Sequence, residues 1–314
     1  MSPRDPEELE ATAALAGTGA ADEAPAAAVA HDVRGEISPL ARMGAVHLTV
    51  SELERSVDYY RGAVGLGVLE SGAGRASLGA GERELLVLTE QPGARPAFGY
   101  TGLYHFALLL DRRADLARWL AHAARDRVSL TGLSDHFVSE ALYLGDPDGH
   151  GIEIYWDRPR EVWEGQVATR ITTLPLDVDN LLDELDDPRT EPFDGLPDAT
   201  VMGHVHLRVA DVTPTVAFYR DVLGFALMAQ LGAQAAFLSA GGYHHHLGAN
   251  TWESRGAGPP PSGSASLRRF TVVLPDAAER ERVLARADEA GRVEDGPDGP
   301  VVRDPSGNAL VLST

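Results

Sequence analysis

Cysteine is absent from this chain of 314 residues. Its absence excludes disulfides, zinc–thiolate centres, iron–sulfur clusters and a cysteine nucleophile. Any transition-metal site must then be built from imidazole and carboxylate, and 11 histidines are available for it. Basic residues are sparse as well: 27 Lys+Arg stand against 47 Asp+Glu, a formal net charge of −20. That balance argues against nucleic acid or an anionic membrane surface as a partner. A basic start followed by a continuous apolar stretch is also missing, so no secretory signal is read and a cytoplasmic protein is expected.

What is present is enough chain for two domains, each with its own core. Residues 1–40 hold no aromatic side chain and carry eight acids against two bases. So little apolar area does not offset the cost of ordering, and a disordered tail is expected over 1–40. Across 157–200, twelve acids face four bases, and Pro159, Pro175, Pro188, Pro192 and Pro197 interrupt regular structure. Leu181, Leu182 and Leu185 share one face of a short acidic helix there. The stretch 158–199 therefore reads as a linker with one packed helix, between domains at 41–157 and 200–314. Tail and linker hold −6 and −8 of the net charge, −14 of −20, so the charge describes them and not a site.

The remainder is repetitive. GAVHLTVSELERSVDYYRGAVGLGVL at 44–69 matches GHVHLRVADVTPTVAFYRDVLGFALM at 203–228, aligning His47 with His206, Tyr60 with Tyr219 and Gly65 with Gly224. Each copy opens with a strand exposed on one face and continues into a helix that glycine stops. A second kind of unit runs from LYHFALLL at Leu103 to YLGDPDGHGIEIYW, and its counterpart from LRRFTVVL at Leu267 to VVRDPSGNALVLS. Helical segments lie between, around Leu116–Leu120 and Ala278–Ala290. Asp-Pro followed by Gly marks a turn before each final strand. Strand, helix and several strands thus recur four times, which predicts an α+β fold of paired units with curved mixed sheets and outer helices.

These residues resemble the vicinal-oxygen-chelate superfamily of βαβββ units, and more narrowly its two-domain extradiol catechol 2,3-dioxygenases. The VDYYRGAVGLGVL and VAFYRDVLGFALM segments carry the superfamily likeness; HFVSEALYLGDPDGHGIE, from His136 to Glu153, resembles the extradiol signature. Ser134 departs from it, standing where a small or aliphatic residue such as Gly is usual. The resemblance implies Fe(II) held by His47, His105 and Glu153, the first two on opening strands and the third on a closing strand. Mn(II) suits the same donors. Two imidazoles and one carboxylate leave positions for a small aromatic diol and for O2 as co-substrate. His136 and Tyr143 match positions that contact substrate or relay protons. A carboxylate in the middle of GIEIYW is costly to bury unless it is paired or ligating.

The C-terminal half carries Phe270 at the place of His105 and Val311 at that of Glu153, so the same triad is not expected there. It does contain GGYHHHLGANTW, in which His244 and His246 share a strand face. With His206 they make a second metal site or a polar ligand pocket, or they line an interface; the sequence leaves these open. Larger extradiol enzymes place an acid–base histidine shortly before the second metal imidazole, and no histidine lies between His47 and His105. Either His136 does that work alone, or a residue from the other domain assists, or the reaction is a different one. A glyoxalase-like isomerase or lyase and a non-enzymatic binding or resistance protein are the alternatives, and the strand histidines with Glu153 weigh against the latter. A homo-oligomer is neither required nor excluded.

Overall fold

The computed structural model describes residues 35–314, which belong to one compact unit. Four βαβββ units are present. The first has strands β1 (Arg42–Val50), β2 (Gly67–Gly72), β3 (Arg75–Ala80) and β4 (Arg83–Glu90), with a helix at Leu53–Tyr59. After a two-residue strand, β5 (Arg95–Pro96), the second has β6 (Gly102–Leu110), β7 (Leu130–Asp135), β8 (Ser139–Gly145) and β9 (Gly151–Asp157), with a helix at Arg113–Asp126. β10 (Leu174–Pro175) lies in the connector. The third has β11 (Val201–Arg208), β12 (Ala226–Leu231), β13 (Ala235–Ser239) and β14 (Leu247–Asn250), with a helix at Val212–Ala217. Past β15 (Ser264–Ala265), the fourth has β16 (Leu267–Val273), β17 (Val293–Gly296), β18 (Gly299–Arg303) and β19 (Ala309–Ser313), with a helix at Ala277–Glu289.

Local signals place these elements well. The first helix widens into a π-helical turn, Tyr60–Val64, where the Tyr60 carbonyl accepts from both Gly65 N and Leu66 N. Gly65 ends it at φ 92°, and Gly224 repeats the device at φ 91°. Alternation sorts each sheet into two faces. Phe106, Leu108 and Leu110 of β6 join the helices in the core, as do Val46, Leu48 and Val50 of β1. His105 and Ala107, like His47, belong to the opposite face.

The pairing of units differs from the expected one. Units are not joined within 41–157 and within 200–314. Instead β6 runs antiparallel to β11, joining units two and three in a nine-stranded sheet, and β1 runs antiparallel to β16, joining units one and four in an eight-stranded sheet. Each opening strand is an open edge that any of the other three could fill, and no local residue specifies which. Both junctions carry a register shift beside a glycine, Gly44 and Gly203. A Cβ at Gly203 would collide with the Tyr155 hydroxyl.

The expected linker is firmly attached. Leu181 and Leu185 are buried in the core, Asp177 caps the helix Val178–Leu182, Arg118 pairs with Glu191 at 2.6 Å, and Phe193 stacks on His122 at 4.1 Å. Of the expected tail, residues 1–34 lie outside the described residues. Residues 35–40 correct it: Ile37 is buried, its N–H donates to the Gly224 carbonyl at 3.0 Å, and Ser38 N donates to Glu279 Oε1 at 2.7 Å. Among the described residues no helix is long and apolar enough to cross a membrane.

The Asp-Pro turns prove to be clamps. Asp146 Oδ1 accepts from the N–H groups of Asp148 (2.9 Å) and His150 (2.8 Å), while Oδ2 accepts from the buried Tyr60 hydroxyl at 2.9 Å. Asp304 repeats this with Ser306, Asn308 and Tyr219. Asp146→Ala strands a buried phenol and two amides, and is expected to lower unfolding free energy by about 3 kcal/mol. Tyr60→Phe, which leaves the two amide bonds, is expected to cost about 1 kcal/mol. Urea titration of both variants checks the order, and equal losses would contradict it.

Candidate metal centre

The junction of units two and three sets three strands in register. Ala107 on β6 is flanked by Glu153 on β9 and by His204 on β11. All three are on the face turned away from the helices, and the small Ala107 side chain leaves a gap that Glu153 and His204 close. His105, two residues before Ala107, turns to the same face. In the neighbouring row, Gly151, His105, His206 and Gly248 lie side by side. The glycines make room for imidazoles: a Cβ at Gly248 would sit 2.7 Å from the His206 ring.

Three donor atoms meet in that gap. His105 Nε2 and His204 Nε2 each lie 3.0 Å from Glu153 Oε2, and 3.2 Å from one another. Glu153 is 2% exposed, so its only polar company is this pair and its neighbours. Burial pushes its carboxyl up, but His204 and His105 outweigh that and hold it well below the usual carboxylate range. Two imidazole nitrogens and a carboxylate oxygen, buried and converging, are the donor set a divalent metal takes. The fit is made by the residues themselves.

His47 is not among them. It lies in the other sheet, opposite Arg269 on β16 and Val87 on β4. The structure brings His105 and Glu153 together as expected, and supplies His204 where His47 was expected, because the units pair two with three. Sequence carried one usable signal for His204: in GHVHL, residues two apart on a strand face the same way. Phe270 is likewise corrected as the counterpart of His105. It is buried on the helix side, and the register His47–Arg269 repeats His206–His105, so Arg269 holds that place. Val311 does stand at the place of Glu153, opposite Thr271 as Glu153 is opposite Ala107.

His136 and Tyr143 come together beside the triad. The Thr172 carbonyl lies 2.7 Å from His136 Nδ1 and can only accept, so Nδ1 carries the proton. His136 Nε2 then accepts from the Tyr143 hydroxyl at 2.7 Å. Tyr143 is opposite Glu153 across β8 and β9, its ring 5.6 Å from that of His105. Burial and the Glu153 charge push its phenol well above the usual range, so it stays protonated. Thr172 belongs to the connector, a contribution no motif announced.

The histidine run brackets the same face. His244 Nε2 lies 2.7 Å from Asp157 Oδ1, Tyr243 donates to Asp157 Oδ2 at 2.8 Å, and Tyr155 meets Tyr243 at 2.7 Å. His244 Nδ1 contacts His245 Nδ1 at 2.8 Å, and the His245 ring packs 4.2 Å from that of His204. His206, His244 and His246 form no metal-type group among the described residues. Tyr104, 5.2 Å from the His206 ring, and the half-exposed Trp252, 5.3 Å from Tyr104, lie on the outer side.

Away from the triad, His47 titrates abnormally: burial first, then Arg269, Arg75 and Arg268, lower its pKa to about 4. Its unfolded value lies near 6.5, so between pH 6.5 and about 4 the unfolded chain binds the extra proton. Stability therefore falls as pH drops through that window. Part of the shift is screened because His47 is only half-buried, leaving about 1 kcal/mol. His47→Gln is expected to flatten the pH dependence of the urea midpoint between pH 7 and 4.5 by that amount, and an unchanged slope would contradict it.

A family model described as the Glyoxalase/Bleomycin resistance protein/Dioxygenase superfamily matches residues 42–154 and 201–312. A catechol-2,3-dioxygenase of Bacillus subtilis (strain 168) is 43% identical over 278 residues, covering 86% of this chain and 95% of that protein. A biphenyl-2,3-diol 1,2-dioxygenase of Pseudomonas sp. (strain KKS102) is 28% identical over 224 residues, 66% of each chain. Among solved structures, glyoxalase I from Zea mays superposes with a TM-score of 0.53 at 19% identity, over 87% of this chain and 92% of that one. That last likeness speaks for the fold alone.

Proposed function

The chain belongs to the glyoxalase/bleomycin resistance protein/dioxygenase superfamily, and from that premise we propose that it is an iron(II)-dependent extradiol dioxygenase. It opens catechol or a substituted catechol outside the two hydroxyls, giving a 2-hydroxymuconic-semialdehyde-type product. The buried convergence of His105, Glu153 and His204 carries this reading, beside the 43% identity to a catechol-2,3-dioxygenase. Both atoms of O2 enter the product, so no outside reductant is needed.

His105 Nε2, His204 Nε2 and Glu153 Oε2 would hold the ion; iron(II) is the choice here, and manganese(II) accepts the same donors. Bound there, the metal supplies a positive centre that gathers an ionised diol and dioxygen next to each other and passes electron density between them. One carboxylate against a dication leaves net positive charge, which favours an ionised diol. The protein's own groups handle protons and orientation. Tyr143 keeps its proton, which it donates to His136, and stands opposite Glu153 across β8 and β9. His136, with Nδ1 fixed by the Thr172 carbonyl, holds the Tyr143 hydroxyl through Nε2 and so orients it. His245, beside His204 and steadied through His244 by Asp157, is the imidazole best placed to take a diol proton and return it during ring opening. It comes from the other half of the chain, where no motif search between His47 and His105 could meet it.

Anaerobic loading with iron(II), followed by mixing with catechol in air, tests the reading. One O2 consumed per catechol, with a yellow product, is expected. Metal-loaded protein that turns over none of a panel of simple and substituted catechols would overturn it.

A further inference from the structure

Outward from the metal centre, the same sheet face carries polar groups that nothing in the protein satisfies. Along β11, Val205 and Leu207 are in the core, so His204, His206 and Arg208 share the opposite face. On β14, Leu247 and Ala249 are in the core, which turns Asn250 to that face beside Arg208, its partner in register. His206 Nε2, Arg208 Nε and Asn250 Nδ2 are all buried without a hydrogen-bond partner. Their side chains are deeply placed: Asn250 is 0%, His206 4% and Arg208 8% exposed. The Asn250 amide is not reversed, because its Oδ1 accepts from the Trp252 amide at 3.2 Å. An unmet buried donor is costly, and neighbouring ones mark a place where an acceptor belongs.

There is room beside them. Gly102 on β6 is opposite Arg208 in register, and a Cβ on this buried glycine would meet nothing within 4 Å. Gly248, one row inward, is the contrast: the His206 ring already fills the place of its missing side chain. Aromatic rings wall the gap. β6 bulges at Tyr104, between the pairs His105–His206 and Leu103–Leu207, so that Tyr104 stands beside His105 with ring centres 5.4 Å apart. The Tyr104 and Trp252 rings lie 5.2 and 5.8 Å from that of His206, and Trp252 reaches the surface. Among the described residues Arg208 has one counter-ion, Glu253, 3.2 Å from Nη1, and that carboxylate is half-exposed.

We propose that Arg208 and Asn250, with His206 beside them, bind a carboxylate carried on a short side chain of the diol, so that the enzyme selects carboxyalkyl catechols. This rests on the dioxygenase reading above and names its substrate class. Arg208 is four residues from His204 along the strand, about 13 Å, a span that an aromatic ring and a short side chain cover. A carboxylate offers acceptor sites to Arg208 Nε, Asn250 Nδ2 and, in the tautomer protonated there, His206 Nε2. It also matches the guanidinium in charge and planarity. A hydroxyl or ether oxygen would leave that charge to Glu253 alone. Glu253 is free to turn into water when the substrate carboxylate takes its place.

Anaerobic calorimetric titration of the iron-loaded protein with 3-(3,4-dihydroxyphenyl)propionate and with its amide tests this, and kcat/KM in air for the same pair is the second readout. The acid is expected to be preferred about ten- to a hundredfold in both. Arg208→Gln is expected to bring the ratio near one, and Asn250→Ala to lower it. A defect in folding or metal content weakens acid and amide alike, so the ratio is insulated from it. Glu253→Gln, on a half-exposed side chain, is expected to raise the ratio by removing the competing carboxylate. A ratio near one in the parent, as when ordered water alone meets these donors, would overturn the proposal, and so would a ratio unchanged by Arg208→Gln. Failure to turn over any catechol sinks the dioxygenase reading instead, and the anaerobic ratio still decides the carboxylate site.

Discussion

His204→Ala is expected to cost the protein its iron, and to lower kcat/KM for catechol by more than about a thousandfold even with iron in excess. His47→Ala is expected to keep both. The contrast follows from the strands: Glu153 Oε2 is shared by His105 and His204 at 3.0 Å each, while His47 is opposite Arg269 in the other sheet. Removing an imidazole from the buried set leaves Glu153 with half its compensation in a place water does not reach. Iron content after loading and desalting, measured beside activity, decides the point. Glu153→Ala should behave like His204→Ala, and Glu84→Ala, which loses only a bond to Ser77, like the parent. Iron kept by His204→Ala and lost by His47→Ala would refute the ligand set.

The second large effect falls on turnover alone. His245→Ala is expected to retain iron and to lower kcat roughly 10²–10⁴-fold, the range for losing a positioned acid–base group. The His245 ring is 4.2 Å from that of His204, and its Nδ1 is engaged by His244, itself held by Asp157. His246→Ala is the control, since that imidazole accepts from the Ala240 amide at 3.2 Å and supports the loop. Single-turnover mixing of preformed enzyme–catechol complex with oxygenated buffer separates the steps. A His245→Ala enzyme that turns over normally, or one that loses iron as fully as His204→Ala, would contradict the assignment.

Much of this was legible in the chain, and the gaps have one cause. Helix stops at Gly65 and Gly224, the Asp146 and Asp304 turns, and the apolar alternation of β1 and β6 are set by neighbouring residues, so short motifs reveal them. His105, Glu153, His136 and Tyr143 all lie within one unit, and a motif confined to that unit brings them together. His204 and His245 join from the third unit through an edge-to-edge strand pairing. Nothing within a strand states which edge it will meet, so pairing units one and two was the natural reading and put His47 in the place of His204. The same error of pairing hid Arg269, whose role shows only when β16 is laid against β1. The connector was read as a linker because its charge is conspicuous, while Thr172, Phe193 and Leu196 act through contacts with distant segments.

The order in which units join gives the chain a nested plan, like one pair of brackets inside another. Units two and three are consecutive, so β6 to β14 already contain His105, His136, Tyr143, Glu153, His204 and His245. The outer pair is different: β1 can pair with β4 on one edge early, but its other edge has no partner until β16 is made. Until then that edge is open to pairing with another strand, and a segment far along the chain is the one that closes it. The reactive half can thus assemble from the middle of the chain, while the two ends wait for one another.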